Sequence, residues 1–129
     1  MRYLRAEQVL FIHARLVTET GGMHGVRDVG LLRSAVERPR ATFGGKDLYR
    51  DLFHKAAALM ESLIGNHPFL DGNECTAISA AGLFLMLNGY ELNASQKEVE
   101  IFTLDMALKK RDVQDAAEWF RRHSKLGKR

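Results

Sequence analysis

His67-Pro-Phe-Leu-Asp-Gly-Asn-Glu-Cys-Thr76 decides the fold, because it leads a polar loop straight into the most apolar run of the chain, Ala77 to Leu87. Ala77, Ile78, Ala80, Ala81, Leu83, Phe84, Leu85, Met86 and Leu87 leave almost no polar face, and Asn88-Gly89 stops the run. A helix that is apolar nearly all round belongs at the centre of a bundle, wrapped by others. Gly89 is the usual residue for ending it. The run contains Ser79 and is too short to span a bilayer, which excludes a membrane role.

The flanking sequence supplies the wrapping helices. Upstream, Val9, Leu10, Ile12, His13, Leu16 and Val17 recur at helical spacing and Gly21-Gly22 ends them. Asp28 can cap a second helix through Leu31, Leu32, Ala35 and Val36, closed by Pro39. Ala41-Thr-Phe-Gly-Gly-Lys46 breaks the pattern and reads as a loop or short hairpin. A third helix is expected from about Tyr49 to Ile64, and the fourth from about Asn73 to Asn88. Downstream, Ser95-Gln-Lys-Glu98 is a capping box for a fifth helix to about Lys109, and Asp112 can cap a sixth carrying Val113, Ala116, Ala117, Trp119 and Phe120. The architecture expected is all-α: a compact six-helix bundle in one domain, residues 1–129, with a central buried helix and a short flap segment.

Composition agrees with a globular chain, 46% apolar and 27% charged. The net charge of +3 comes from the end of the chain, because Arg121 to Arg129 holds five Lys/Arg and no acid. That basic tail reads as a solvated helix end rather than a nucleic-acid surface. A single cysteine rules out an internal disulfide, and a charged N-terminus gives no signal peptide, so a cytoplasmic location is expected.

The opening stretch also carries chemistry. His67 can accept a hydroxyl proton as that oxygen attacks phosphorus. Asp71 can hold Mg²⁺, a hard cation that takes carboxylate and phosphate oxygens together. The backbone N–H groups of Gly72, Asn73, Glu74, Cys75 and Thr76 open a helix and can cradle a phosphate. Asn73 can cap that helix or turn its amide to a phosphate oxygen. Two other readings use the same residues: a metal site of His67, Asp71 and Glu74, and a thiol nucleophile at Cys75, against a small buried cysteine beside an apolar helix. His13 is expected to pack within the first helix, and Trp119 and Phe120 within the core.

His67-Pro-Phe-x-Asp-Gly-Asn73 resembles the signature of the Fic/Doc superfamily, in its Doc (death-on-curing) branch, where the pattern runs H-P-F-x-D-G-N-K-R. Gly21-Gly22-x-x-Gly25-Val-Arg-Asp28, Phe43-Gly-Gly45, Lys55-Ala-Ala and Asn88-Gly-Tyr-Glu-Leu92 resemble Doc-type chains in the same order, over about residues 2 to 120. The resemblance implies a toxin of a toxin–antitoxin module that transfers a phosphoryl group from ATP to a hydroxyl of elongation factor Tu. Fic relatives transfer AMP instead. It further implies His67 as general base, Asp71 as Mg²⁺ ligand, Gly72 to Thr76 as the phosphate cradle, and Phe43, Gly44, Gly45 and Lys46 as a flap aligning the target. A Phd-type antitoxin would be the silencing partner.

One departure bears directly on activity. Glu74 and Cys75 stand where Doc chains carry Lys-Arg, so three units of positive charge are missing from the expected phosphate pocket. The expectation is a weakened or inactive transferase, or a catalytically dead scaffold that still binds antitoxin or target. Lys46 or Arg50 could return charge from the flap side.

Overall fold

The computed structural model describes residues 1–127 and contains six α-helices: α1 (Ala6–Thr20), α2 (Val29–Glu37), α3 (Leu52–Asn66), α4 (Asn73–Leu87), α5 (Gln96–Ala107) and α6 (Val113–Arg122). Local chemistry sets their ends. Asp28, Asp51, Ser95 and Asp112 each accept a hydrogen bond from a first-turn N–H of α2, α3, α5 and α6, satisfying donors the helix itself cannot. Ser95 with Glu98 forms the expected capping box. Gly21, at φ 75°, closes α1 by donating its N–H to the Val17 carbonyl.

The centre is a pair rather than a single helix. Along α4, Ala77, Ala80, Ala81, Phe84 and Leu85 are fully covered, but Met86 reaches solvent. Helix α3 is enclosed more completely, burying every residue from Lys55 to Met60 against α4, α6 and α2. Small side chains make that contact close: Ala56 and Ala57 share one core with Ala77, Ala80 and Ala81. The larger cores of α5 and α6 then stack edge and face, with Phe102 and Trp119 parallel at 3.9 Å and Phe120 edge-on to both.

Two short antiparallel ribbons complete the chain. β1 (Thr42–Phe43) pairs with β2 (Lys46–Asp47), Thr42 opposite Asp47 and Phe43 opposite Lys46. Gly44 and Gly45, both at positive φ, make the tight connection that such hairpins require. β3 (Tyr90–Leu92) pairs with β4 (Ser124–Leu126), so part of the basic C-terminal segment forms a strand after α6 rather than extending a helix. Lys128 and Arg129 lie outside the described residues. No helix among the described residues is long and apolar enough to cross a membrane.

The start of α3 is tied to α6 by charge. His54 faces Asp51 through Nδ1 at 2.9 Å and Gln114 through Nε2 at 2.8 Å, while Arg121 reaches the other Asp51 oxygen at 3.3 Å. Burial alone would raise the Asp51 carboxyl, but hydrogen bonds from His54 and the Arg121 charge outweigh it and hold it below its ordinary 3.8. Burial alone would lower the His54 imidazole, but Gln114 and Asp51 outweigh it and hold it above its ordinary 6.5. The Asp51 contribution to stability is therefore present above its ordinary value and lost as acid protonates it through its depressed one. The His54 contribution is present below its ordinary value and lost as pH rises through its raised one. Thermal midpoints should be higher at about pH 6 than at about pH 8, and His54→Gln should shrink that difference. An unchanged difference in the variant would remove this pair as a cause.

Candidate functional site

The last carbonyls of α3 lack N–H partners within the helix, and the chain supplies donors from His67 and Arg27. His67 turns into the left-handed region, φ 49° and ψ 56°, uncommon for a residue with a Cβ. Its Nδ1 donates to the Ile64 carbonyl at 2.7 Å. Arg27 donates from Nε to the His67 carbonyl and from Nη2 to the Asn66 carbonyl, each at 2.7 Å, and its charge complements the negative end of the helix. The imidazole is thereby held by its own ring and by its backbone. With Nδ1 carrying the proton, Nε2 keeps a lone pair, and His67 is exposed.

The following residues are clamped from the other side. The Pro68 carbonyl accepts from Arg27 and Asp28 N–H groups, and Leu70 N–H donates to the Gly25 carbonyl. Phe69 is buried and lies flat on the His13 ring, centroids 3.8 Å apart and planes 7° from parallel. His13 in turn donates from Nε2 to the Asp71 carbonyl at 2.8 Å. Its burial is thus not only packing within α1: it carries the loop.

Asp71 is exposed, and each of its oxygens already accepts one backbone hydrogen bond, Oδ2 from Met23 at 3.0 Å and Oδ1 from Gly72 at 2.9 Å. These bonds fix the carboxylate while leaving lone pairs for a hard cation, so the donor set fits Mg²⁺ shared with phosphate oxygens. The approach depends on Gly22, where a Cβ would stand 2.8 Å from Asp71 Oδ2. Gly72, at φ 75°, opens α4 without a side-chain cap, unlike α2, α3, α5 and α6. A Cβ there would meet Val17 Cγ1 at 3.2 Å in a backbone region unfavourable to L-residues. Gly72→Ala should therefore lower stability by about 1–2 kcal/mol from the backbone alone, read as a drop in the urea midpoint. An unshifted midpoint would mean that the loop re-forms without this geometry.

The expected cradle is narrower than five residues. Thr76 N–H donates to the Gly72 carbonyl at 3.0 Å, the first bond of the helix, so it is not available to a ligand. The Asn73 side chain is buried with both atoms bonded to Phe69, Oδ1 accepting from its N–H and Nδ2 donating to its carbonyl. It shapes the loop, and only its backbone N–H remains for an anion. Asn73, Glu74 and Cys75 N–H groups form the open first turn. Glu74 is half-buried, whereas Cys75 is exposed, against the expectation of a covered thiol, because that face of α4 lines an open groove with α1 and α5. The alternative metal site of His67, Asp71 and Glu74 does not form: among the described residues no three His, Cys, Asp or Glu converge on one point.

The flap residues Phe43 to Lys46 form the hairpin tip, with Phe43 82% exposed. Among the described residues, no hydrogen bond joins this hairpin to the His67–Thr76 loop. Lys46 and Arg50 are exposed, and neither forms an ion pair among the described residues. Arg27 has the clearest structural role that spacing could not assign, since its targets lie 40 and 39 residues away.

With this geometry in view, similarity to known proteins becomes informative. Residues 3–85 match the Fic/DOC family. A 74-residue stretch is 54% identical to the toxin Doc of Mycolicibacterium smegmatis, covering 57% of this chain and 57% of that protein. Over 122 residues the chain is 28% identical to the protein kinase doc of Escherichia phage P1, covering 95% of each.

Proposed function

This chain belongs to the Fic/DOC family, and on that premise we propose that it is a Doc-type toxin of a toxin–antitoxin pair. Its ancestral reaction is transfer of the γ-phosphoryl group of ATP to a hydroxyl of a protein acceptor such as elongation factor Tu, in the cytoplasm. A Phd-type antitoxin is the corresponding partner. The observation that carries the reading is the state of His67: Nδ1 is committed to the Ile64 carbonyl, which leaves Nε2 as an acceptor on an exposed ring at the end of a rigid loop.

The residues divide the work as follows. His67 Nε2 takes the acceptor hydroxyl proton as its oxygen attacks phosphorus. The free N–H groups of Asn73, Glu74 and Cys75, with the positive end of α4 behind them, hold phosphate oxygens. Asp71 would hold Mg²⁺, which when bound neutralises charge on the phosphates. Phe43 to Lys46 would align the acceptor segment. His13, Phe69 and Arg27 touch no reactant and keep the base and the carboxylate in register.

Glu74 and Cys75 favour a second reading, a scaffold that binds antitoxin or target without turnover. An acid at 74 complements the helix dipole but repels phosphate. Both readings meet in one experiment: Mg²⁺ with ATP labelled at the α- or the γ-phosphate, elongation factor Tu as acceptor, and this chain beside Glu74→Lys/Cys75→Arg. Label transferred from the γ-position by the double variant, with little or none by the parent, supports a disarmed kinase. Transfer from the α-position would instead assign AMP transfer. No transfer by either protein would overturn the proposal.

A further inference from the structure

Lys55 is the least expected member of the core. It lies in the first turn of α3, 2% exposed, next to the buried Ala56 and one turn before the buried Leu59. A lysine is almost never fully covered unless its charge is matched. Its three ammonium donors reach the Pro39 carbonyl at 3.1 Å and Asp47 Oδ2 at 3.0 Å, and face the Tyr3 ring at 5.5 Å. Pro39 stands in the 3-10 turn Arg38–Arg40 that leads into β1, and Asp47 is the last residue of β2. One buried ammonium therefore grips both legs of the flap hairpin.

That grip matters because the hairpin cannot hold itself. Its strands are two residues each, every residue from Thr42 to Asp47 is exposed, and an isolated two-stranded ribbon is marginal in water. Leu48 N–H to the Ala41 carbonyl, 2.8 Å, closes the stem. Arg38 Nε to the Tyr49 hydroxyl, 2.9 Å, steadies the turn below it. Arg38 also ties that turn to α3, through Glu61 at 2.7 Å and Ser62 at 2.9 Å, whereas Lys55 reaches both legs, at Pro39 and Asp47, from within the core.

We propose that Lys55 is a positioning residue for the protein acceptor, a clasp that sets the orientation of the Phe43–Lys46 flap through Pro39 and Asp47. The inference rests on the reading of that segment as the target-aligning flap. Burial alone would depress the ammonium, but Asp47 and Tyr3 outweigh it and hold the pKa above the ordinary lysine value. The clasp thus stays charged across the physiological range.

The test is amide hydrogen exchange on the full chain carrying Asp47→Asn or Lys55→Met. Asp47 is 53% exposed in its side chain, and Asn keeps an oxygen within reach of Lys55, so this variant leaves the core filled even if Lys55→Met misfolds. We expect exchange at Leu48 to rise about tenfold or more while Leu59 in α3 and Leu85 in α4 stay protected. Unchanged protection at Leu48 in folded variants, or an equal rise everywhere, would overturn the clasp. In the Glu74→Lys/Cys75→Arg background, Asp47→Asn should raise KM for the protein acceptor about tenfold with KM for ATP unmoved, and Asp47→Glu should recover most of it. A fall in kcat alone would also count against the proposal. If that background transfers nothing, the transferase reading falls, and the exchange result still decides the clasp.

Discussion

The double substitution Glu74→Lys/Cys75→Arg should tighten Mg-ATP binding by this chain. It adds two units of positive charge at 74 and one at 75, in the open first turn of α4. At about 4 Å a unit charge is worth about 1 kcal/mol in water and about 4 kcal/mol at an effective dielectric of 20. Cys75 is exposed and Glu74 half-buried, so values near the lower limit apply. Two to three kcal/mol in total, a conservative sum, tightens Mg-ATP binding about 100-fold. The effect on transfer should be larger, about 10³-fold, because a cation over the phosphates acts most strongly on transition-state charge. Calorimetric titration of both proteins decides it. Equal affinities would mean that the backbone N–H groups and Asp71 already suffice.

His67→Ala, made in whichever form transfers phosphate, should lower the rate about 10²- to 10⁴-fold, the usual contribution of a positioned general base. Nucleotide affinity should change little, because the proposed cradle belongs to α4 and the proposed cation ligand is Asp71. Loss of the Nδ1 bond to Ile64 removes one tie on the loop, but Arg27 still holds the His67 carbonyl. The combination of lost turnover and retained Mg-ATP binding is therefore the signature sought. Retained turnover would assign the proton acceptor elsewhere, and lost binding would show that the ring holds the loop rather than the proton.

Much of this arrangement was legible in the residues because it is local. Asp28, Ser95 with Glu98, and Asp112 announce their helices, and Gly44-Gly45 announces the hairpin, since caps and tight turns are decided within a few residues. The third helix starts at Leu52 rather than near Tyr49 because Asp51 is the cap and Tyr49 turns back to bond Arg38. What could not be read is what closes over distance. β4 pairs with β3 across 32 to 36 residues, from Leu92–Ser124 to Tyr90–Leu126, and neither segment alone favours a strand over a tail. The partners of Arg27, the stacking of His13 on Phe69 and the clasp of Lys55 share that property. Within the site, residue type and spacing marked His67 and Asp71 as the candidate base and cation ligand. The commitment of the Asn73 amide to Phe69 did not, because a cap and a loop staple use the same side chain.

With His67 as the proposed base, its left-handed backbone sets stability against function. Such a conformation costs a residue bearing a Cβ about 1–2 kcal/mol and costs glycine almost nothing. A chain shaped only by thermodynamics would carry glycine at that bend and be the firmer for it. Imidazole at 67 is a standing load on the native state, carried by the Ile64 carbonyl and by Arg27. Selection for heat resistance alone would relieve that load by discarding the proposed base, so on that reading robustness is a poor proxy for potency.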